Sequence, residues 1–335
     1  MKLFDPEDIE RKTLLILRIL SSIQDPLGSR IIARRMEDYG TVLSERTVRY
    51  HLRIMDEKGL TRLIGNRDGR VITEQGLEEL KNARVRDKIG LTITRIENLA
   101  FRTTFDPVAK TGFVPVNISF FRKETMKKAL DIMLPAFNSG ISVSELVAVA
   151  EEGERIGEVL TPKGMVGLAT VCSIVVNGVL LKNGIPMDSK FGGILQVKEG
   201  IPRRFVELIY YSGSSLDPSE AFIRARMTSV RSIIEKNEGK ILANFREIPA
   251  ACCELTYGII ENLKKANING VFSIGQISEP LCQIPVDVNK VGLILLGGLN
   301  PIACAEEAGI TAEHHAMSAV IDYRRLAPVG KLKKK

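Results

Sequence analysis

The residues best suited to chemistry lie in the segment 42–60, VLSERTVRYHLRIMDEKGL. On a helix of about 3.6 residues per turn, Arg46, Arg49 and Arg53 fall on one side. The apolar positions on the opposite side are Val48, Leu52 and Met55. Arginine offers a planar fork that matches guanine edges, and it also pairs with phosphates. The segment is therefore predicted to pack one face on a core and to present the other to a nucleic acid.

The elements around this helix predict a winged helix-turn-helix domain. Ser44 suits the N-cap and Gly59 the C-terminal stop. The remaining elements are predicted helices at 8–21 and 29–36 and two short strands, 61–64 and 70–72, joined by a Gly-rich turn. The residues predicted to contact DNA are Ser44, Arg46, Thr47, Arg49, Tyr50, Arg53, Arg62, Arg67 and Arg70. A solvated charged face is the alternative for the same basic residues.

The charge balance favours phosphate contact without establishing it. The whole chain carries a formal net charge of +7. Such an excess increases attraction to nucleic acids but does not select among partners. The last five residues, KLKKK, hold four lysines and are predicted to form a frayed basic tail.

The length predicts about two domains. With 335 residues, 44% hydrophobic and 26% charged, the chain can bury more than one core. We predict a DNA-binding domain at 1–90, a larger mixed α/β domain of the α+β type at 91–328 and a tail at 329–335. Residues 164–181 form an uncharged run, but its polar residues and glycines fit a buried helix better than a membrane span. The N-terminus lacks a signal-peptide core, so a cytoplasmic location is expected.

The cysteines do not indicate a metal or disulfide framework. The chain has five of them, an odd number, and no C-x-x-C pair. No zinc site, other metal or prosthetic group is predicted. The five residues are Cys172, Cys252, Cys253, Cys282 and Cys304.

The larger region alternates strand-like and helix-like segments. The predicted strands lie at 112–120, 193–197, 205–211, 270–274 and 291–296, and the predicted helices at 123–134, 167–183, 218–237 and 252–266. A short echo is also visible, because IPMD at 185–188 precedes KFG as IPVD at 284–287 precedes KVG. An internal duplication and recurrent helix-strand units both explain this echo.

Beyond the winged helix, the chain resembles the NrpR family of archaeal nitrogen regulators. The motifs that carry the resemblance are LSERTVRYHL at 43–52, ATVCSIVVNGVLLKNGIP at 169–186, KFGGILQV at 190–197, LDPSEAFIRARMTSV at 216–230 and GGLNPIACAEEAGI at 297–310. The resemblance implies that the first domain binds double-stranded operator DNA of nitrogen-assimilation genes and that the larger domain binds 2-oxoglutarate, which releases the repressor. It implies no enzymatic activity. A dimer or larger oligomer is expected, with a paralogous corepressor subunit as a further partner.

A dicarboxylate effector needs donors at two ends, and helix starts supply free N–H groups. The segment 297–301, GGLNP, follows an apolar strand, with Asn300 as a predicted cap. A second candidate combines Thr170 and Cys172 with Gly192-Gly193, where a ligand could approach the backbone. The complete set predicted to bind the effector is Thr170, Cys172, Gly192, Gly193, Cys253, Gly298, Asn300 and Cys304. The alternative is that the glycine segments form ordinary turns and that the cysteines are core residues.

One position departs from the family pattern. Lys190 stands before Phe191-Gly192-Gly193 where arginine is expected, so the bidentate fork for a carboxylate is lost there. Other arginines that could pair the effector are Arg203, Arg204, Arg224 and Arg226. Two other functions are kept open: a regulator with a different effector, and a cysteine-dependent enzyme in which Cys252 or Cys253 works with His314 or His315.

Overall fold

A computed structural model of the chain describes residues 6–23, 25–65, 69–82 and 90–334. It divides into two compact units. One covers Met1–Ile89 with Glu158–Leu160, and the other covers Gly90–Gly157 with Thr161–Lys335. The predicted DNA contact Arg67 lies outside the described residues.

The first unit has the winged helix-turn-helix order that the sequence predicts. Its elements are α1 (Pro6–Ser21), α2 (Ser29–Glu37), α3 (Glu45–Glu57), β1 (Thr61–Gly65), β2 (Gly69–Ile72) and α4 (Glu74–Asn82). The first three helices share a core in which Leu17, Ile32 and Leu52 have no exposed surface. Helical spacing places these apolar residues on one stripe of each helix, so their burial holds the three helices together.

Gly69 fixes the start of the second wing strand. Backbone hydrogen bonds join Leu27 and Arg70 in both directions, at 2.9 and 3.0 Å, and so add a third chain segment beside the wing. Gly69 has φ +99°, and a Cβ there would stand 2.4 Å from the carbonyl carbon of Leu27. Only glycine fits this close approach.

The second unit begins with α5 (Leu91–Arg102) and contains two successions of the same six elements. The first succession is β3 (Phe113–Arg122), α6 (Lys123–Asn138), β4 (Leu146–Ala150), β7 (Met165–Val171), α7 (Ile174–Lys182) and β8 (Asp188–Lys198). The second is β10 (Glu238–Pro249), α10 (Cys253–Lys265), β11 (Val271–Ile277), β12 (Lys290–Leu296), α11 (Asn300–Glu307) and β13 (Glu313–Asp322). The other elements are β5 (Arg155–Ile156), β6 (Val159–Leu160), β9 (Ile201–Tyr210), α8 (Pro218–Arg224), α9 (Val230–Lys236) and β14 (Ala327–Pro328).

The two successions exchange their last strands. One sheet has the order β13-β3-β7-β4-β14 and the other the order β11-β12-β10-β8-β9. In each sheet, the first strand of one succession lies between the third strand of the same succession and the last strand of the other. This shared arrangement indicates an internal duplication with a pseudo-two-fold relation between the halves.

Strand register shows which residues are equivalent. Asn117 pairs with Thr170 across β3 and β7, and Asn244 pairs with Leu295 across β10 and β12. The same tripeptide, VGL, stands at 166–168 and at 291–293. After each of these strands an identical bond follows: Cys172 N–H donates to the Pro115 carbonyl, and Gly297 N–H to the Leu242 carbonyl, both at 2.9 Å. Asn117 and Asn244 therefore hold matching positions.

The similarity between IPMD and IPVD seen in the sequence does not relate equivalent strands of the two halves. IPMD leads into β8, whose counterpart is β13, whereas IPVD leads into β12, whose counterpart is β7. The similarity has a local cause, because β8 and β12 both flank β10. Strand β8 supplies Asp188 and Lys190 to one charge cluster, and β12 with the segment just before it supplies Lys290 and Asp287.

Several predicted elements need correction. The helix predicted at 167–183 is strand β7 followed by α7, and the helix predicted at 218–237 breaks into α8 and α9 around Arg226, which has φ +55°. Strands β4, β10 and β13 and helix α5 were not predicted. The error at β7 has a physical reason: both of its faces are buried, so it lacks the alternation that distinguishes a strand from a buried helix.

The C-terminal tail is more ordered than its charge suggests. Residues 329–334 form a 3-10 helix, and Val329 is buried, with its N–H donating to the Glu145 carbonyl at 2.9 Å. Val329, the first residue of the segment predicted as a basic tail, is thus anchored to the second unit, while the frayed end predicted for residues 331–335 stays a prediction. Among the described residues, no helix has the length and apolar character needed to cross a bilayer.

Candidate functional site

Helix α3 presents the predicted basic face to solvent. Ser44 is its N-cap and accepts a hydrogen bond from the Thr47 N–H at 3.1 Å, and the two hydroxyls are 2.8 Å apart. These two residues are therefore already used in shaping the helix start. The exposed side chains of the helix include Arg46, Arg49 and Arg53, and Tyr50 is 53% exposed.

Two of these arginines form ion pairs with exposed glutamates of the same helix. Arg49 pairs with Glu45 at 3.5 Å and Arg53 with Glu57 at 3.2 Å, each four residues apart. Exposed pairs of this kind stabilise a helix by about 0.3–0.5 kcal/mol. Both arginines can therefore exchange their glutamate partners for a phosphate or a guanine edge. The helix is suited to nucleic-acid contact.

The wing residues have different roles. Arg62 is exposed, as a DNA contact requires. Arg70 is paired within the domain: its Nε lies 2.7 Å from Asp56 Oδ2, and its side chain is only 19% exposed. Asp56 also accepts the Thr61 hydroxyl at 2.6 Å. This ion pair ties the wing to the end of α3, and the DNA contact of Arg70 stays a prediction.

A second candidate site is a small pocket inside the second unit, lined by both halves of the duplication, with a volume of about 20 Å³ that has room for about one water. The starts of α7 and α11 line it through Ser173 and Gly298, which are equivalent positions. The equivalent residues Asn117 and Asn244 line it from β3 and β10. The other lining residues are Ile96, Cys172, Ile174, Tyr211, Asp217, Ser219, Arg246, Leu299, Ala316 and Met317.

Arg246 is the charged centre of this pocket. It is the largest fully buried side chain of the described residues, with 1% exposure. Its guanidinium donates to the carbonyls of Phe245 at 3.1 Å and Phe191 at 3.5 Å and to the Tyr211 hydroxyl at 3.5 Å, while its Nε has no partner among the described residues. A buried charge is costly unless it is paired, and the natural partner of a guanidinium is a carboxylate. This geometry favours an anionic ligand.

Burial shifts the pKa of three neighbouring ionisable groups upward. Burial raises the pKa of the Cys172 thiol to about 12 and also raises the pKa of the Tyr211 hydroxyl. Burial, together with the nearby Glu220 carboxylate, raises the pKa of Asp217 to about 6. The Cys172 thiol and the Tyr211 hydroxyl are therefore neutral at pH 7, whereas Asp217 is mainly ionised there and loses its charge only as the pH falls below about 6.

The asparagines are oriented by fixed hydrogen bonds. Asn244 Oδ1 accepts from the Tyr211 hydroxyl at 2.6 Å, and its Nδ2 donates to Ser173 Oγ at 3.2 Å. Asn117 Oδ1 accepts from the Met317 N–H at 3.0 Å. Each Asn reaches toward the helix start of the other half, because a Cβ on Gly298 would stand 2.4 Å from Asn117 Nδ2.

The pocket contains two of the eight residues predicted to bind an effector, Cys172 and Gly298. Asn300 does not cap α11, whose N-cap is Leu299. Asn300 is fully buried, and its amide bonds the backbone of Leu242 and Ile141. Its role is to hold the helix against β10, and the cap prediction is wrong.

The glycine pair is packed against protein. A Cβ on Gly192 would stand 2.8 Å from Pro218, and one on Gly193 would stand 2.6 Å from the Glu207 carbonyl and 2.7 Å from the Phe205 ring. These glycines let neighbouring elements approach β8, so the expected ligand approach there is not what the structure shows.

The other predicted effector residues lie outside the pocket lining. Thr170 is buried on β7. Cys253 is half-buried at the start of α10. Cys304 is buried on α11, and its thiol donates to the Ile132 carbonyl at 3.6 Å. Sequence analysis missed Arg246, Tyr211, Asn244 and Asn117. The one available signal was the Asn shared by VPVNIS and ILANFR, which requires the strand alignment to be known.

Lys190 belongs to a separate charge cluster. The Oδ or Oε atoms of Asp188, Glu247 and Asp287 lie within 4.8 Å of one another, an arrangement that could hold a cation. Lys190 Nζ already contacts all three, at 2.9, 3.1 and 3.0 Å. Partial burial alone would lower the Lys190 pKa, but the bonds to these carboxylates outweigh it and raise the pKa. Lys290 contacts the same three acids, so two lysines face three carboxylates in this cluster.

The histidines pair with carboxylates. His314 Nε2 lies 3.0 Å from Glu306 Oε1, and His315 Nε2 lies 3.1 Å from Glu313 Oε1. Both contacts are local, within eight residues along the chain. Among the hydrogen bonds of the described residues, neither imidazole pairs with a cysteine, so the arrangement does not support the nucleophile and base of a cysteine enzyme.

Comparison with known proteins gives matches to both units. A family model described as NrpR regulatory domains NRD1 and 2 matches residues 89–328, and one described as the ribonuclease R winged-helix domain matches residues 14–80. The global nitrogen regulator NrpRI of Methanosarcina mazei is 40% identical over 327 residues, covering 98% of this chain and 100% of the relative.

Two longer relatives and one solved structure also match this chain. The global nitrogen regulators NrpR of Methanococcus maripaludis and Methanocaldococcus jannaschii are each 34% identical, covering 92% and 98% of this chain but 53% and 56% of their own lengths. The crystal structure of a nitrogen repressor-like protein from Methanococcus jannaschii is 30% identical, with a TM-score of 0.60 over 72% of this chain and 98% of that chain. The full-length match and the family model, which covers most of the chain, show that this protein belongs to the NrpR family of nitrogen regulators.

Proposed function

We propose that this chain is a transcriptional repressor of nitrogen-assimilation genes whose DNA binding is released by 2-oxoglutarate. Helix α3 and the wing would contact double-stranded operator DNA, and the pocket around Arg246 would bind the effector. The names of the relatives and the exposed arginines of α3 support the first part. The repressor would act in the cytoplasm, where the DNA is.

The observation that supports the effector proposal is the incomplete pairing of the buried Arg246. Its guanidinium lies 4.7 Å from the centre of the Tyr211 ring and bonds neutral oxygens, but its Nε has no hydrogen-bond partner and no ion pair holds it among the described residues. A carboxylate ligand would complete this pairing. 2-Oxoglutarate brings two carboxylates, and the starts of α7 and α11 add the partial positive charge of helix N-termini. Binding would require the pocket to open, because its volume of about 20 Å³ has room for about one water. A different small-molecule effector is the second candidate.

The partners follow from the mode of DNA binding. A winged-helix repressor that reads two half-sites acts through two-fold symmetry, so we propose a homodimer or larger oligomer. A paralogous corepressor subunit is a further expected partner. We propose no catalytic activity, since the relatives are named as regulators and the histidines pair with glutamates.

The decisive experiment is a mobility shift on a nitrogen-gene promoter with and without 2-oxoglutarate, with glutarate and succinate beside it. The wild-type chain should bind DNA and release it as 2-oxoglutarate is added. Arg246→Met should bind DNA with unchanged affinity but need at least about tenfold more 2-oxoglutarate for release, because a charge-assisted bond is lost.

Arg224→Met is the matched control, since this arginine is exposed and lies outside the pocket. It should respond to 2-oxoglutarate as the wild type does. Equal responses of all three proteins would place the effector elsewhere, and release by another dicarboxylate alone would favour the second candidate.

A further inference from the structure

A larger pocket opens on another part of the second unit. Its volume of about 470 Å³ lies within the range of about 300–1,000 Å³ that is usual for small-molecule sites. The segment before β3, the end of α7 and one side of α10 line it. None of its lining residues borders the pocket around Arg246, so the two are separate.

The second half of the duplication shows how the corresponding place can be closed. At equal distances beyond the equivalent positions at the starts of the two helices, Lys182 ends α7 and Glu307 ends α11. The Glu307 carboxylate accepts the Thr228 hydroxyl at 2.7 Å and the N–H groups of Val230 and Arg231 at 2.8 and 3.0 Å. These bonds hold the start of α9 against the end of α11.

The first half has the opposite charge at this place. Lys182 cannot accept such bonds, and its Nζ lies 4.9 Å from the centre of the exposed Phe101 ring. The segment before β3 forms a turn where the segment before β10 forms α9, because Asp106 Oδ1 accepts the N–H groups of Val108 and Ala109 at 2.8 and 3.1 Å. The contact that closes the second half is therefore not made, and the pocket lies between the turn and the end of α7.

The walls of this pocket combine two opposite charges with apolar surface. Phe105 and Ile259 are buried and line it, and Lys182 and Asp106 line it as well. Among the ion pairs of the described residues, these two charged groups do not pair with each other. A simple carboxylate would meet the like charge of Asp106, and a simple amine would meet that of Lys182. A ligand with both charges beside an apolar group suits all of these walls.

We propose that this pocket binds an apolar α-amino acid. The ligand carboxylate pairs with Lys182, its ammonium group pairs with Asp106, and its side chain packs against Phe105 and Ile259. A free α-amino acid carries both charges at pH 7. Binding here does not depend on the effector proposed at Arg246, because the two pockets share no lining residue.

The test is an NMR titration of the full chain with L-leucine and with two analogues that each lack one charged group. The first, 4-methylpentanoate, lacks the ammonium group, and the second, 3-methylbutylamine, lacks the carboxylate. The wild type should bind L-leucine saturably and each analogue at least about fivefold more weakly, because one charge-assisted hydrogen bond is lost and one like charge is left facing the ligand.

Two variants of the pocket separate the two charges. Lys182→Met should weaken L-leucine binding by at least about fivefold and leave 3-methylbutylamine binding no weaker than in the wild type. Asp106→Asn keeps the oxygen that accepts the two N–H groups, so the turn should persist. It should weaken L-leucine binding by a similar factor and leave 4-methylpentanoate binding no weaker.

Lys198→Met is the matched control, since this lysine is exposed and lies outside the pocket. It should bind all three ligands as the wild type does, and thermal melts check that each variant is folded. The absence of saturable L-leucine binding by the wild type up to about 20 mM would overturn the inference. Wild-type affinity for L-leucine in either pocket variant would do the same, as would equal affinity of the wild type for all three ligands.

The variant Arg246→Met separates this site from the proposed effector pocket. It should bind L-leucine as the wild type does, whatever its response to 2-oxoglutarate. A loss of L-leucine binding in this variant would place the amino acid at Arg246 and would also overturn the inference. A failure of 2-oxoglutarate to release DNA would refute the proposed effector and leave the binding of L-leucine unchanged.

Discussion

At the scale of single residues, burial rather than residue type distinguishes Arg246, the proposed effector ligand, from the other arginines. The sequence suggests four arginines as partners of the effector, and all of them are exposed: Arg203, Arg204, Arg224 and Arg226. Arg246 resembles them in sequence but lies on a strand in the middle of a sheet, where its charge lacks water. Arg70 is likewise largely buried, in an ion pair with Asp56. The exposure of an arginine to water therefore determines how far its charge depends on a partner in the protein or in a ligand.

Asp217 gives a prediction at this scale. Burial, aided by Glu220, raises its pKa from 3.8 to about 6, so the folded state holds its proton more tightly than the unfolded state. The resulting stabilisation is complete below about pH 4 and is lost as the pH rises through 6. Asp217→Asn keeps the oxygen that caps α8 and accepts the Glu220 N–H, but it carries no charge to desolvate.

The variant should therefore raise the free energy of unfolding at pH 7.5 by about 2 kcal/mol and should show no such gain at pH 4. Urea denaturation at both pH values measures the difference. An equal gain at both would show that ionisation of Asp217 is not the cause.

At the scale of elements, amphipathic segments are predicted well and buried ones poorly. The sequence identifies α1, α2, α3 and the wing to within a few residues, because each has one apolar and one polar face. It mistakes β7 for helix and misses β10, since strands buried on both faces have no period of two. The pocket depends on those strands, so its arginine and asparagines could not be found by local pattern.

Helix α3 gives the prediction at this scale. The double variant Arg49→Ala with Arg53→Ala should abolish specific operator binding, because it removes two long donors from the exposed face of the helix. Stability should change by less than about 1 kcal/mol, since both arginines are in exposed ion pairs only. Mobility shifts with operator and scrambled DNA measure the loss.

The control replaces two arginines with the same kind of exposed partner in the second unit. Arg203 pairs with Glu199 and Arg231 with Glu235, each four residues apart. The variant Arg203→Ala with Arg231→Ala should bind operator as the wild type does. If the α3 variant also retained operator affinity, α3 would not be the recognition helix.

At the scale of the whole molecule, the second unit is a duplicated fold closed by exchange of its last strands. Strands β8 and β13 each complete the sheet of the other half. Neither half is complete alone, so the two must fold as one body. The pocket around Arg246 is a product of this exchange, because its walls come from both halves.

This architecture predicts that the second unit is independent of the first. A chain lacking residues 1–90 should fold and still bind 2-oxoglutarate with about the wild-type affinity, because every lining residue of the pocket lies in the second unit. The solved nitrogen repressor-like protein, which matches 72% of this chain over nearly its whole length, is in keeping with this expectation. Circular dichroism and calorimetry test it. A folded fragment that does not bind would place part of the effector site outside the second unit.

The sequence alone determined the winged helix, its basic face and the family resemblance, because these depend on residues that are neighbours along the chain or along one helix. Its motifs also identified Cys172 and Gly298, which border the pocket. Only the tertiary structure decided which arginine is buried, which strands are equivalent and which asparagines face one another. Those properties depend on strand pairing between residues more than one hundred positions apart, and no local period in the sequence records such pairing.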